Sequence, residues 1–236
     1  MSYVLNIAAT LPEGAPPLAS FTIPVRAGLR AAHFLGHGAA VAAMNFGSGA
    51  AARIIGAPTC AAGYGEFSGA DYLLSDVDEA QNMSFLALVR RPADVSCSFF
   101  GNNNSIPGGV GMWSTLGGVT ASFRADRDSA ATEHANLPTA GTNIGSWQLI
   151  ACHAPNLGAS TILSLTTNLQ STSVATEQRV ISGSGKFKIG SAYNGAFTGS
   201  CQVALWLAYD RVLTAAETGG LGAWARTCAA TLGITA

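Results

Sequence analysis

The side chains of this 236-residue chain best suited to ligand chemistry are amides and aromatic rings set in glycine-rich turns. Asn102, Asn103 and Asn104 fall in GNNNSIPGGVG, Trp113 follows in GMWSTLGG, and Tyr193 with Asn194 closes SAYNG. Amides donate and accept hydrogen bonds with sugar hydroxyls, and flat rings stack on pyranose faces, so these six are the candidate ligand-binding residues. The competing reading puts Trp113 in the core and makes the asparagines turn formers. Other constellations are thinner. Asp76, Asp78 and Glu79 in LLSDVDEAQN form the densest acidic group, but paired-carboxylate hydrolysis needs two carboxylates held across a bond, and this group reads as a solvated turn. His33 and His37 stand four apart in HFLGH, yet no glutamate follows His33 and a glycine interrupts the helix that would align them, so they read as loop or packing residues. His134 and His153 have no serine or aspartate beside them in sequence to suggest a nucleophile and base.

Strands must position these groups. SFTIPV from Ser20, MSFLALVR from Met83, VSCSFFG from Val95, GVTASFRA from Gly118, SWQLIACHA from Ser146, STILSLTTN from Ser160 and KFKIG from Lys186 carry β character between turn clusters. With no helical pattern between them, the expected class is a sandwich or barrel. From Cys201 to Tyr209 alternate sets (Cys201, Val203, Leu205, Leu207 and Tyr209 against Gln202, Ala204, Trp206 and Ala208) are both largely apolar, which predicts burial on two faces. The character then changes. Thr214 and Glu217 form a T-x-x-E capping box, and Leu221, Trp224, Ala225, Cys228 and Leu232 recur at helical spacing, so a short helix with an apolar stripe is expected. Gly219, Gly220 and Gly222 argue against an unbroken run from Thr214. Ala27 to Gly63 is Ala- and Gly-rich and reads as irregular structure with short strands. No repeat or linker divides the chain, so residues 1–236 are expected to be one domain whose Ala/Gly-rich N-terminal segment ends at about residue 63.

A net charge of −1 with 11% charged residues gives no basic footprint for nucleic acid. No apolar run reaches the roughly 20 residues of a membrane helix, so no membrane insertion is expected. The opening MSYVLNIAATLPEGAPP has no basic region followed by a sustained apolar stretch, which predicts folding in a cytoplasm. Five cysteines without C-x-x-C spacing read as reduced and mostly buried.

The tail KFKIGSAYNGAFTGSCQVALWLAYDRVLTAAE resembles the closing segment of laminin-G-like, concanavalin A-like jelly rolls: a strand ending in Ile-Gly, a loop, Phe-x-Gly, a buried strand, then Tyr-x-Arg-x-Leu-Thr/Ser-x-x-Glu. GEFSGADYLLSDVDEAQNMSFLALVRRP and SWQLIACHA are similar to further strands of that family, so the likeness runs from about Gly65 to Gly220. It implies an all-β, antiparallel β-sandwich finished by the short C-terminal helix. Enzymes share the architecture, but the two same-strand glutamates of its glucanases are missing. Lys186 to Asn194 only echoes the "YFKAGVYNQ" strand of its alginate lyases, with Tyr193 one residue displaced. No catalytic residue and no cofactor are therefore expected; a calcium ion held by Asp71, Asn102 to Asn104, Asp126, Asp128 and Asn194 is the one candidate, because the fold often binds one through loop oxygens. Among carriers of the fold, a cytoplasmically made chain of low charge looks most like a bacteriophage virion protein of the tail or capsid exterior. That implies assembly in the bacterial host cytoplasm and contacts with other virion proteins and a host surface glycan; the low charge and the surplus apolar face of the Cys201–Tyr209 strand predict a homo-oligomer, with a trimer favoured by analogy to phage fibres and decoration proteins. A polysaccharide-cleaving enzyme and a bacterial lectin-like domain are the rival readings.

Overall fold

MSFLALVR and CQVALWLAY carry almost no polar break, and runs of this kind are stable as strands only where both faces are covered. In the computed structural model, which describes residues 22–61, 63–103, 109–126, 134–139, 141–173, 177–181 and 185–236, they lie side by side as β6 (Met83–Arg90) and β15 (Cys201–Tyr209). Around them sheet A runs in the order β13 (Leu169–Thr172), β12 (Thr161–Ser164), β11 (Gln148–Ala154), β6, β15, β4 (Tyr64–Phe67) and β3 (Thr59–Ala61). β1 (Leu29–Phe34) pairs with the second half of β15. Sheet B runs in the order β10 (His134–Asn136), β9 (Ser122–Ala125), β8 (Val110–Ser114), β7 (Cys97–Gly101), β14 (Lys188–Ile189), β5 (Tyr72–Leu74) and β2 (Arg53–Ile55). The pairings are antiparallel in both sheets, which makes an all-β sandwich.

The core between the sheets is aromatic. Phe85 of β6 lies 4.7 Å from Phe100 of β7 and 5.1 Å from Phe187, and Trp206 of β15 closes the cluster. Expected alternation along β15 is interrupted here. A register shift between Val203 and Leu205 against β6 leaves Cys201, Val203, Trp206 and Ala208 on the inter-sheet core, while Ala204, Leu205, Leu207 and Tyr209 face the other way. A bulge adds one residue and so reverses the faces beyond it. Sequence alternation alone grouped Cys201 and Val203 with Leu205, which the bulge corrects.

That second face is covered by α2 (Ala215–Thr231), whose buried Leu221, Ala225 and Ala229 pack in one cluster with Leu86, Leu88, Leu205 and Leu207. The surplus apolar face of β15 is thus buried within the chain and offers no surface to a second copy. The capping box forms: Thr214 Oγ1 accepts from Glu217 N, and the Glu217 carboxylate accepts from Thr214 N. Arg211 grips the same carboxylate at 2.7 and 2.9 Å and, with the cap, holds it down to about 2. Contrary to the expectation from its glycines, α2 runs unbroken. Gly222 faces Leu165, where a Cβ would crowd the side chain at 3.0 Å, so this glycine permits close packing on the sheet.

The N-terminal region holds β1, β2, β3 and the five-residue helix α1 (Ala39–Ala43). The strand expected from Ser20 to Val25 is not formed at residues 22–25, and Ser20 and Phe21 lie outside the described residues. The chain instead enters the sheet at Leu29, where Leu29, Ala32 and Phe34 join the cluster under α2 and Ala31 joins the inter-sheet core. β8 was hidden in sequence by Gly108 and Gly109 before it and Gly111 within it. All five cysteines are buried and free.

Two stability predictions follow from these contacts. Thr214→Ala should cost about 1 kcal/mol, whereas Trp206→Ala, emptying a fully buried site, should cost about 3 to 5 kcal/mol. Half-buried Trp224, edge-on to Phe34 at 6.1 Å, should fall between them; urea melts rank the three. Buried His33 supplies the second. Its Nδ1 lies 3.0 Å from the Ala42 carbonyl oxygen, which can only accept, so Nδ1 carries the proton and Nε2 keeps its lone pair in the apolar core. Burial pushes its pKa down from 6.5 to about 4. The unfolded chain therefore takes up this proton first, and stability is full above pH 6.5 and declines by about 3 kcal/mol as pH falls toward 4. An imidazole NMR titration of His33 with a midpoint near 6.5 would contradict it.

Candidate functional site

Strand alternation sorts sheet B into an inner and an outer face. Leu73, Ile189, Phe100, Met112 and Phe123 are fully buried in the core. Their neighbours Tyr72, Leu74, Lys188, Gly101, Gly111 and Arg124 take the outer face, with Lys188 opposite Leu74 on one side and Gly101 on the other. After β14 the chain turns sharply at Gly190, whose φ of 83° suits glycine and where a Cβ would strike the Phe67 ring. The loop then folds back over the sheet. Tyr193 Oη donates to the Lys186 carbonyl at 3.1 Å, and Lys188 Nζ donates to the Ala192 carbonyl at 3.3 Å.

This places the Lys188 ammonium between two rings, 4.1 Å from the centroid of Tyr193 and 4.5 Å from that of Tyr72. Such contacts are worth about 0.5–1 kcal/mol each at an exposed site and fix where the cation points. Burial pushes the Tyr193 phenol up, and Tyr72 adds to the effect while Arg53 opposes it. Beside this triad the same loop and the Ser68–Asp71 turn enclose a cleft of about 270 Å³, lined among others by Ser68, Ala192, Asn194, Phe197 and Thr198.

Asn194 Oδ1 accepts from Ala196 N, and Asp71 accepts from Ala57 N and Ser68 Oγ, so the rim is held by its own hydrogen bonds. Trp113, nearly buried, packs at 5.7 Å on Phe197 and supports the apolar side of the cleft. Phenol, amide, hydroxyl and ammonium groups beside a ring face can bind a saccharide or a polar peptide.

The remaining sequence candidates lie elsewhere. Asn102 is fully buried: Oδ1 accepts from Val110 N and Nδ2 donates to Glu79. Asn103 is also buried, laid over Gly101 and Gly111 where a Cβ would collide with it. Asn104 and Asp128 fall outside the described residues, as does the side chain of His134. Asp71 and Asn194 therefore stand at the cleft, while Asn102 and Asp126 stand at the Glu79 end. Among the described residues, no three His, Cys, Asp or Glu side chains are grouped to hold a metal ion.

The acidic turn divides in two. Asp76 and Asp78 are exposed and share Lys186, at 3.3 and 2.8 Å, along a separate cleft of about 420 Å³. Glu79, expected on a solvated turn, is instead buried in an ion pair with Arg179, which also donates to the Ala80 and Gln81 carbonyls. His153, without a hydroxyl neighbour in sequence, has one in space: its Nδ1 lies 2.8 Å from Ser84 Oγ. Ser84 is fully buried and accepts from Leu213 N, and Nε2 faces Thr218 Oγ1 at 3.5 Å, so the group ties the start of α2 to sheet A. Pairing across strands β6 and β11 creates this contact, which no local spacing announces.

The facing antiparallel sheets define a jelly-roll-like β-sandwich, and solved structures of that shape are found among toxin receptor-binding domains. The receptor binding domain of botulinum neurotoxin C/D mosaic serotype superposes with a TM-score of 0.60 at 9% identity, covering 83% of this chain and 51% of that one. The binding domain of botulinum neurotoxin DC in complex with SialylT gives 0.55 at 10% identity over 75% and 47%. The same domain in complex with rat synaptotagmin II gives 0.52 at 9% identity over 75% and 47%. The chain thus spans about half the length of these structures, and at such identity the likeness is one of fold. No protein-family model and no curated protein matches the sequence.

Removing one member of a buried ion pair strands the other charge, at about 3–5 kcal/mol. Glu79→Gln should therefore destabilise the fold by that order, measured by urea denaturation, while Asp78→Asn at its exposed position should shift stability by less than about 1 kcal/mol.

Proposed function

We propose that the chain is a non-catalytic recognition module that binds a surface glycan through the outer face of sheet B. The observation that carries this reading is the Lys188 ammonium held between Tyr72 and Tyr193 at the edge of the Phe197 cleft. Similar folds in complex with SialylT and with rat synaptotagmin II support binding as the use of this architecture. Catalysis is disfavoured at the same residues. A lyase base needs a phenol poised to lose its proton, whereas Tyr193 is pushed up by burial and donates to a carbonyl. Glu79 is committed to its ion pair with Arg179.

The finer placement, on a bacteriophage particle with other virion proteins as neighbours, rests on the resemblance of the tail segment and on the 11% charge. Oligomerisation rests on that charge alone, since α2 covers the apolar face of β15. Mass spectrometry of purified virions tests the placement, and light scattering tests for a trimer.

A glycan array followed by calorimetry tests the binding reading. The intact chain should bind a discrete glycan set, and Lys188→Ala or Tyr193→Ala should each weaken binding at least about tenfold, the loss expected for about 1.4 kcal/mol. Polysaccharide cleavage abolished by Tyr193→Phe would replace the recognition module with an enzyme.

A further inference from the structure

The outer face of sheet A is covered by α2 over most of its width, but the polar end of its central strands is built differently. Gln202 of β15 pairs with Glu66 of β4 on one side and with Arg90 of β6 on the other, placing the three side chains in a row. Arg90 donates through Nε and Nη2 to Gln202 Oε1, at 2.8 and 2.6 Å. Its guanidinium lies 5.0 Å from the Trp147 ring centroid and 5.9 Å from that of Tyr64. These two rings are 5.5 Å apart and tilted by 55°. Tyr64, Arg90 and Trp147 are partly exposed, and Glu66 is exposed.

We infer that Tyr64, Glu66, Arg90, Trp147 and Gln202 form a second saccharide platform, for an uncharged linear glycan, on the side of the sandwich opposite the Lys188 site. Three features commit it to that ligand. The rings offer apolar surface at fixed orientation, because they pack on each other and Arg90, anchored to Gln202, lies against both. Among the described residues, Arg90 Nη1 and the Glu66 carboxylate have no hydrogen-bond partner, which leaves a donor and an acceptor for hydroxyl groups. One guanidinium and one carboxylate cancel, and the exposed Glu66 repels an acidic chain. The row crosses from β4 to the start of β11, about 14 Å at the usual spacing between strands, which is room for a short run of sugar rings.

The platform is independent of the Lys188 site, so one experiment separates them. Cellohexaose, xylohexaose and maltohexaose are titrated into the intact chain by calorimetry and by tryptophan fluorescence. At least one should bind saturably, with affinity reduced at least about tenfold by Trp147→Ala, reduced less by Glu66→Gln, and unchanged by Tyr193→Ala. Should Trp147→Ala fail to fold, Trp147→Phe with Glu66→Gln carries the same test on a retained ring. Absence of saturable binding to all three sugars overturns the platform. Binding lost in Tyr193→Ala but kept in the Trp147 and Glu66 variants also overturns it and leaves the Lys188 reading standing.

Discussion

The pairing of β6 with β15 is the constraint on which the rest of the molecule depends. Both strands are apolar on both faces, so the pair is stable only when one face meets a second sheet and the other meets something equally apolar. Sheet B supplies the first cover and α2 the second. The bulge near Ala204 reconciles the two, because it turns Trp206 toward the aromatic core and Leu205 and Leu207 toward the helix. Without that extra residue the large indole would be aimed at α2.

Both proposed recognition surfaces lie where this cover ends. On sheet A, α2 buries the leucines of β6 and β15 and leaves the Arg90 and Gln202 ends outside its footprint. On sheet B the loop leaving β14 folds back over the outer face to place Tyr193 over Lys188. Short outer residues help: Gly101 and Gly111 leave the space that Asn103 fills. Each surface is therefore an outcome of how the core is covered, as well as of the residues it displays.

Much of the fold was legible because its signals are local. Alternation and turn clusters marked β6, β7, β9, β11, β12, β14 and β15, and Thr214 with Glu217 marked the start of α2 through a contact only three residues long. What stayed hidden depends on pairing between distant segments. Glu79 looked like a turn residue because Arg179, its partner, is 100 residues away. Ser84 and His153 meet only through the β6–β11 register, 69 residues apart. Of the candidate site, Tyr193 and Asn194 were visible as loop residues, but Lys188 became informative only when β5 and β14 set Tyr72 beside it.

The buried Glu79–Arg179 pair bears on how this end of the sandwich is held. A carboxylate taken out of water needs a cation and further donors. Here Arg179 supplies the charge from a segment far along the chain, and Asn102 supplies a hydrogen bond while its own Oδ1 takes the Val110 amide. Arg179 also binds the carbonyls of Ala80 and Gln81, so one guanidinium ties the turn before β6 to the segment after β13. A guanidinium has five donors in a fixed plane and can hold several backbone oxygens together, whereas an ammonium offers three on a flexible stem. Arg179→Lys would keep the charge and lose much of that geometry, so the arginine's role is to join segments as well as to neutralise Glu79.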